Sequence, residues 1–243
     1  MAVARSVGGG VDPPETPVRW QRTCRLIPTR YPSVGLFDRV ASPDDVEAIL
    51  ELETWTNDRI SNELGLIHTI PKSEWVTGRP MASVIMAAFC HPRPGGGRFS
   101  DERRGAWYAA RTLATSLAES VYHRSAELAE VGHFETRMQL RLYHADFAAP
   151  FHDIRGRGFA DLYHPDSYER SQAFARDLLE HGSNGVVYRS VRDEGGACVA
   201  CFRPALVLNV RVAAHYEYRW EGNRTPRVIR LRAESQSEGA TQS

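Results

Sequence analysis

Residues 95–123 read GGGRFSDERRGAWYAARTLATSLAESVYH, and this stretch decides how the rest of the chain is read. A glycine run delivers Arg98 and Ser100. GAWYAA follows as a short strand, and Thr112 then suits the N-cap of a helix running through roughly Leu128. Leu113, Leu117 and Val121 fall four residues apart on one stripe of that helix, which is the face it buries. Glu119 lies about 160–200° from Leu117 and Val121 at 3.6 residues per turn, so it points away from the stripe. The ordinary reading of such a residue is a solvated helix face. Against it, the i±4 positions are Thr115 and His123, with no lysine or arginine to pair with, so helix pairing does not explain the glutamate.

Working outward, TCRLIPTRYP from Thr23 reads as a short strand entering a turn punctuated by Pro28 and Pro32. SPDDVEAILELETWTNDRI reads as a helix, with Ser42 as N-cap, Pro43 at the first helical position and two acids in the first turn. MASVIMAAFC is a buried run whose type the pattern leaves open, ended by HPRPGGG. Downstream, MQLRLYHADF alternates as a strand, and SYERSQAFARDLLEHG is an amphipathic helix closed by Gly182. GVVYRSV and ACVACFRP then read as two strands joined by RDEGG. Strands and helices mix without regular βαβ spacing, which predicts an α+β fold rather than a doubly wound sheet. Residues 1–18 and 233–243 are predicted to be disordered tails, being rich in Gly and Pro or in small polar residues.

Composition narrows the function classes. Lys+Arg and Asp+Glu balance at 30 each, so nothing indicates a nucleic-acid or anionic-membrane surface. Lys72 is the only lysine, so arginine is the chain's general cation and no single arginine stands out by type. No segment approaches the ~20 apolar residues of a membrane span. The start, MAVARSVGGGVDPPETP, lacks the apolar core of a secretory signal, and four cysteines do not make a disulfide scaffold. These features predict a cytoplasmic protein. Cys198 and Cys201 form a CxxC, but in a strand residues three apart face opposite ways, and no second CxxC or HExxH exists; no metal is expected. The glycine loop is neither a P-loop nor a dinucleotide fingerprint, and no G-x-S-x-G elbow supports a serine hydrolase.

Taken together, CRLIPTRYP, the 95–123 stretch and GVVYRSVRDEGGACVACFRP resemble the RES domain family over about Thr23–Pro204. The resemblance implies an α+β domain similar to the ADP-ribosyltransferase fold, spanning 19–232, with a longer and mostly helical segment inserted at about 40–90. It implies a toxin of a toxin–antitoxin pair, partnered by an Xre-type helix-turn-helix antitoxin, that degrades NAD+. Phosphorolysis to nicotinamide and ADP-ribose-1-phosphate leads, with inorganic phosphate as co-substrate and no separate cofactor; hydrolysis, ADP-ribosyl transfer to protein and an inactive binding module are the alternatives. By position, Glu119, Arg98 and Tyr108 correspond to catalytic residues, and Arg25, Ser190 and Ser100 to substrate-binding ones. In that scheme Glu119 stabilises positive charge on the ribose, Arg25 and Arg98 clamp the diphosphate, Tyr108 offers a ring to the nicotinamide, and Ser190 bonds the ribose or the acceptor. The oligomeric state is left open, a homodimer among the options.

Overall fold

A computed structural model of the chain describes residues 13–31, 35–53 and 64–232. Seven strands form one sheet: β1 (Glu15–Pro28), β2 (Trp107–Ala110), β3 (Glu135–Asp153), β4 (Gly185–Arg189), β5 (Ala197–Cys201), β6 (Leu208–Glu221) and β7 (Arg227–Leu231). Their spatial order is β1-β2-β5-β4-β3-β6-β7, and β1 also pairs with β3, so the first five close on themselves. The long strand β3 makes this possible. Along one edge it pairs with β1, from Glu15↔His152 to Pro28↔Leu140. Along the other it pairs first with β6 and then, at His152 and Asp153, in parallel with β4. With no regular crossover pattern, the molecule is the α+β domain that the element order predicts.

Among the described residues five α-helices accompany this sheet: α1 (Leu36–Arg39), α2 (Pro43–Glu53), α3 (Ala82–Cys90), α4 (Leu113–Val131) and α5 (Glu169–Glu180). Period-two alternation sends side chains to two cores. Trp107, Ala109, Val187, Val199 and Cys201 join Phe37, Val46, Ile85 and Phe89 on the side of α1, α2 and α3. Ala110, Val186, Tyr188, Cys198 and Ala200 join Phe99, Leu162, Ala175 and Leu178 on the side of α5. Cys198 and Cys201 thus sit on opposite faces, as expected of a CxxC in a strand. A third cluster, Leu140, Leu142, Tyr216, Tyr218 and Trp220, receives the Leu113, Leu117 and Val121 stripe of α4.

Several expectations need correction. The strand expected from Thr23 begins at Glu15, so residues 15–18 belong to the sheet and not to a tail; Pro14 and Pro17 look like breakers, but partners in β3 override them. The open run MASVIMAAFC is helix α3, buried along most of its length. The helix from Ser42 starts as expected, with Ser42 N–H donating to Asp45 Oδ2 (2.8 Å) and Asp45 N–H to Ser42 Oγ (3.2 Å). Its expected continuation through 54–60, like the tails 1–12 and 233–243, lies outside the described residues. β6 and β7 lie beyond every segment the pattern assigned.

Candidate active site

The glycine loop is not the flexible connection its composition suggests. Gly96 has φ +68°, and a Cβ there would stand 2.3 Å from Ser100 O. A Cβ on Gly97 would stand 2.6 Å from the Tyr108 hydroxyl, so the loop can lie against that tyrosine only without a side chain. Tyr108 Oη accepts from Phe99 N–H (2.8 Å) and shares a hydrogen bond with Ser100 Oγ (3.0 Å). Phe99 is buried edge-on against Tyr188, with ring centroids 4.8 Å apart. From α5, Gln172 Nε2 donates to Gly95 O (2.8 Å) and Gly97 O (3.0 Å). Arg98 turns inward and is only 8% exposed. Its Nη1 donates to His164 O (2.7 Å) and Leu162 O (3.2 Å), and its guanidinium stacks 4.7 Å over Tyr168.

Across from the loop, α4 is capped by Thr112, whose Oγ1 accepts from Thr115 N–H (3.2 Å). With its apolar stripe against the sheet, the opposite face meets the β4–β5 turn. There Ser190 Oγ donates to Glu119 Oε1 at 2.6 Å. The same oxygen accepts from Arg192 N–H (3.1 Å) and Asp193 N–H (3.0 Å), which fixes its direction. Thr115 Oγ1 donates to Asp193 Oδ2 (2.6 Å), tying the turn to the first turn of the helix. The Glu119 side chain keeps 24% of its exposure. A solvated helix face is therefore the wrong reading of this residue: it is a shielded carboxylate with an assigned donor.

Its neighbour on the helix is a histidine that several arginines act on. His123, one turn on, puts Nε2 3.8 Å from Glu119 Oε2 and Nδ1 3.4 Å from Arg93 Nη1. Burial, then the charges of Arg93, Arg124, Arg192 and Arg98, push this imidazole down to about 3. It is therefore neutral near pH 7. Arg192 lies 3.3 Å over the Tyr122 ring and donates from Nη2 to Pro165 O (2.6 Å). Arg25 stands on the neighbouring strand, 4.8 Å over Trp107, with Nη1 donating to Tyr108 O (2.9 Å). Burial lowers its guanidinium to about 10, still charged near neutrality, and its Nε is enclosed without a partner among the described residues.

Glu119 and Ser190 are thus in direct contact, as are Tyr108 and Ser100, and Arg25 meets the backbone of Tyr108. Arg98 is held apart by the 162–168 segment. The Tyr188 phenol links the two sides: burial raises it well above the usual range, and Glu119, Tyr108 and Arg98 all lie near enough to act on it. Arg93, His123, Arg124, Arg192 and Asp193 escaped the sequence reading. The i+4 spacing of His123 from Glu119 was a usable signal; the arginines gave none in a chain where nearly every cation is arginine. Two open grooves lie elsewhere, one of about 690 Å³ flanked by Arg22, His144 and Arg211 and one of about 580 Å³ flanked by Arg155 and Arg189; neither is lined by Glu119, Arg98 or Ser190. Among the described residues no group of three or more His, Cys, Asp or Glu is placed to hold a metal, and no helix is long and apolar enough to cross a membrane.

Fold and site together define an α+β domain that keeps a shielded carboxylate, held by Ser190, beside a histidine that four arginines act on. The sequence model of the RES domain matches residues 67–221, and the chain belongs to the RES domain family. Arg98, Ser100, Tyr108, Glu119 and Ser190 fall inside the matched span, while Arg25 precedes it. The span also takes in 67–90, part of the segment expected to be atypical. An uncharacterized protein, y4oC of Sinorhizobium fredii (strain NBRC 101917 / NGR234), is 31% identical over 202 residues, covering 82% of this chain and 83% of that protein. A chain of the crystal structure of the M. tuberculosis MbcT–MbcA toxin–antitoxin complex superposes with a TM-score of 0.43 at 11% identity, covering 83% of this chain and 86% of that one. A likeness at that level bears on no assignment made below.

Proposed function

We propose that this RES domain is the toxin of a toxin–antitoxin pair and that it acts in the cytoplasm by cleaving NAD+ between nicotinamide and ribose. Inorganic phosphate is the acceptor, giving nicotinamide and ADP-ribose-1-phosphate. The observation that carries the reading is the Glu119 carboxylate, held by Ser190 and only 24% exposed, with His123 beside it. As the glycosidic C–N bond breaks, its electron pair passes to the pyridinium nitrogen and positive charge develops on the ribose. A fixed carboxylate of low exposure stabilises that charge without reorganising. The phosphate oxygen then closes the new C–O bond at the same carbon.

The other residues divide the remaining work. Arg25 and Arg98 supply fixed positive charge for the NAD+ diphosphate. Tyr108, whose hydroxyl is tied to the loop, offers the partly exposed ring against which the nicotinamide packs. Ser100 and Tyr108 set the loop, and Ser190 aims Glu119. The chemistry needs no metal or prosthetic group. An Xre-type helix-turn-helix protein is the proposed antitoxin, on the strength of the family resemblance.

The test is incubation of the purified protein with NAD+, with and without inorganic phosphate, followed by chromatography and phosphorus NMR of the products. Phosphate-dependent ADP-ribose-1-phosphate, lost in Glu119→Ala, is expected. ADP-ribose formed regardless of phosphate would make the enzyme a hydrolase, and intact NAD+ under both conditions would leave only a binding module. Expression without a partner should arrest growth and lower cellular NAD+.

A further inference from the structure

In the proposed function Arg25 and Arg98 are assigned to the NAD+ diphosphate, which leaves the acceptor anion to other cations. The first is partly buried on a strand and already donates to Tyr108 O; the second, 8% exposed, spends Nη1 on two carbonyls. A different set of cations lies next to Glu119. Arg93 reaches it through one imidazole ring, since Arg93 Nη1 contacts His123 Nδ1 and His123 Nε2 faces Glu119 Oε2. Arg192 holds the Ser190 hydroxyl through its backbone N–H, and its guanidinium lies over the Tyr122 ring, which stands edge-on to His123. Arg124 follows His123 on the same helix and, with Arg93, Arg192 and Arg98, acts on the ring.

These guanidiniums keep donors in reserve. Arg93 uses Nε on Gly96 O and Nη1 on His123; Arg124 uses Nη1 on Glu127; Arg192 uses Nη2 on Pro165 O. Among the described residues the opposite Nη of each has no hydrogen-bond partner. The histidine adds a further donor by elimination. A guanidinium can only donate, so Nδ1 of the neutral ring must accept and the proton must sit on Nε2. That Nε2–H stands 3.8 Å from Glu119 Oε2, too far for a hydrogen bond, which leaves it for an acceptor that approaches beside the carboxylate.

We infer that Arg93, Arg124, Arg192 and the Nε2–H of His123 form a subsite for a tetrahedral oxyanion beside Glu119, and that inorganic phosphate, the acceptor, occupies it. This rests on the proposed phosphorolysis for the ligand's role, and on the Arg93–His123–Glu119 and Arg192–Ser190–Glu119 contacts for the existence of the site. Four arginines stand against the carboxylates of Glu119, Glu127, Asp166 and Asp193, so the locality is close to neutral, and a phosphate is held there by directed guanidinium and imidazole donors rather than by an excess of positive charge. A phosphate there lies on the side of the ribose that the carboxylate already faces, so the nucleophile is assembled where positive charge develops.

Arg93→Gln and Arg192→Gln test the subsite, each compared with wild type for steady-state kinetics and for direct phosphate binding by phosphorus NMR and calorimetry. Each variant should raise the KM for phosphate about tenfold or more while changing the KM for NAD+ less than about threefold, since one charge-assisted hydrogen bond is lost from one ligand only. A parallel rise in the KM for NAD+ would make these arginines part of the diphosphate clamp and overturn the subsite. Unchanged phosphate binding in both variants, with thermal unfolding showing them folded, would overturn it as well. Should wild type leave NAD+ intact, the proposed function falls; phosphate binding that is present in wild type and weakened in both variants would still establish the subsite.

Discussion

On the loop side of the site, Arg98, Ser100 and Tyr108 direct their hydrogen bonds at the protein itself: Arg98 to the carbonyls of Leu162 and His164, Tyr108 to Phe99 N–H, Ser100 to Tyr108. On the helix side, Glu119 takes one short bond from Ser190, and its second oxygen faces a histidine too distant to bond it. Both sides hold residues that the family resemblance singles out, yet they are built for different ends. The loop side is a lock in which Arg98 Nη1, the Tyr108 hydroxyl and Ser100 Oγ are engaged within the protein. The helix side is a carboxylate with unused capacity beside a neutral histidine, which is the arrangement that reacts with or binds something else. Residues of equal standing in a motif therefore differ in what their loss should do.

Glu119→Gln should show the difference at its largest. Neutralising the carboxylate keeps an oxygen for the Ser190 hydroxyl, so thermal unfolding should move by no more than about 2–4 °C, roughly 1 kcal/mol for a chain of this size. NAD+ consumption should fall about 10²-fold or more, the scale of removing one preorganised electrostatic group. Near-normal turnover would take Glu119 out of the mechanism and remove the contrast between the two sides.

Arg98→Ala should behave differently, losing stability along with activity. The carbonyls of Leu162 and His164 would lose their donor, and an unsatisfied buried acceptor costs about 1–3 kcal/mol. The Tyr168 stack would go as well. Arg98→Lys should recover only part, because an ammonium lacks the planar fork. Urea unfolding of both variants reads the effect; a fully stable Arg98→Ala that is merely inactive would move Arg98 to the helix side of the comparison. Tyr108→Phe comes next, at about 1–2 kcal/mol, through the stranded Phe99 N–H and the lost Ser100 bond. Its activity should fall less than that of Glu119→Gln.

The sequence showed these two sides unequally. Local signals located β2, the Thr112 cap and the Leu113–Leu117–Val121 stripe, because each depends on neighbours within a few positions. The stripe also oriented Glu119 away from the core. Its shielding was invisible, because Ser190 and the β4–β5 turn arrive from 71 residues away. The same limit explains β1: Pro14 and Pro17 argue locally against a strand, and only the ladder to β3 from Glu15↔His152 onward outweighs them. The packing of the glycine loop is hidden from the sequence for a related reason. Glycines that permit close packing against Tyr108 look, in one dimension, like glycines that confer freedom. Arg93, Arg124 and Arg192 were hidden among the arginines of a chain with one lysine.

The smallest expected effect probes the helix side through His123. Unfolded, the ring takes its proton near pH 6.5; folded, burial and the four arginines delay this to about 3. Between those values the unfolded chain holds the extra proton, so the stability owed to the neutral ring is complete above pH 6.5 and is lost as pH falls toward 3. At pH 5 the loss amounts to roughly 1–2 kcal/mol, reduced by the 27% exposure of the side chain. His123→Gln does not titrate, so subtracting its stability–pH curve from that of wild type isolates the contribution from the carboxylates that titrate alongside. Nitrogen NMR of the same ring should find it neutral at pH 5, with the proton on Nε2. A His123 that protonates near 6.5 would mean that burial and the arginines do not hold the ring neutral, and the helix side would then lose the neutral histidine that sets it apart from the loop side.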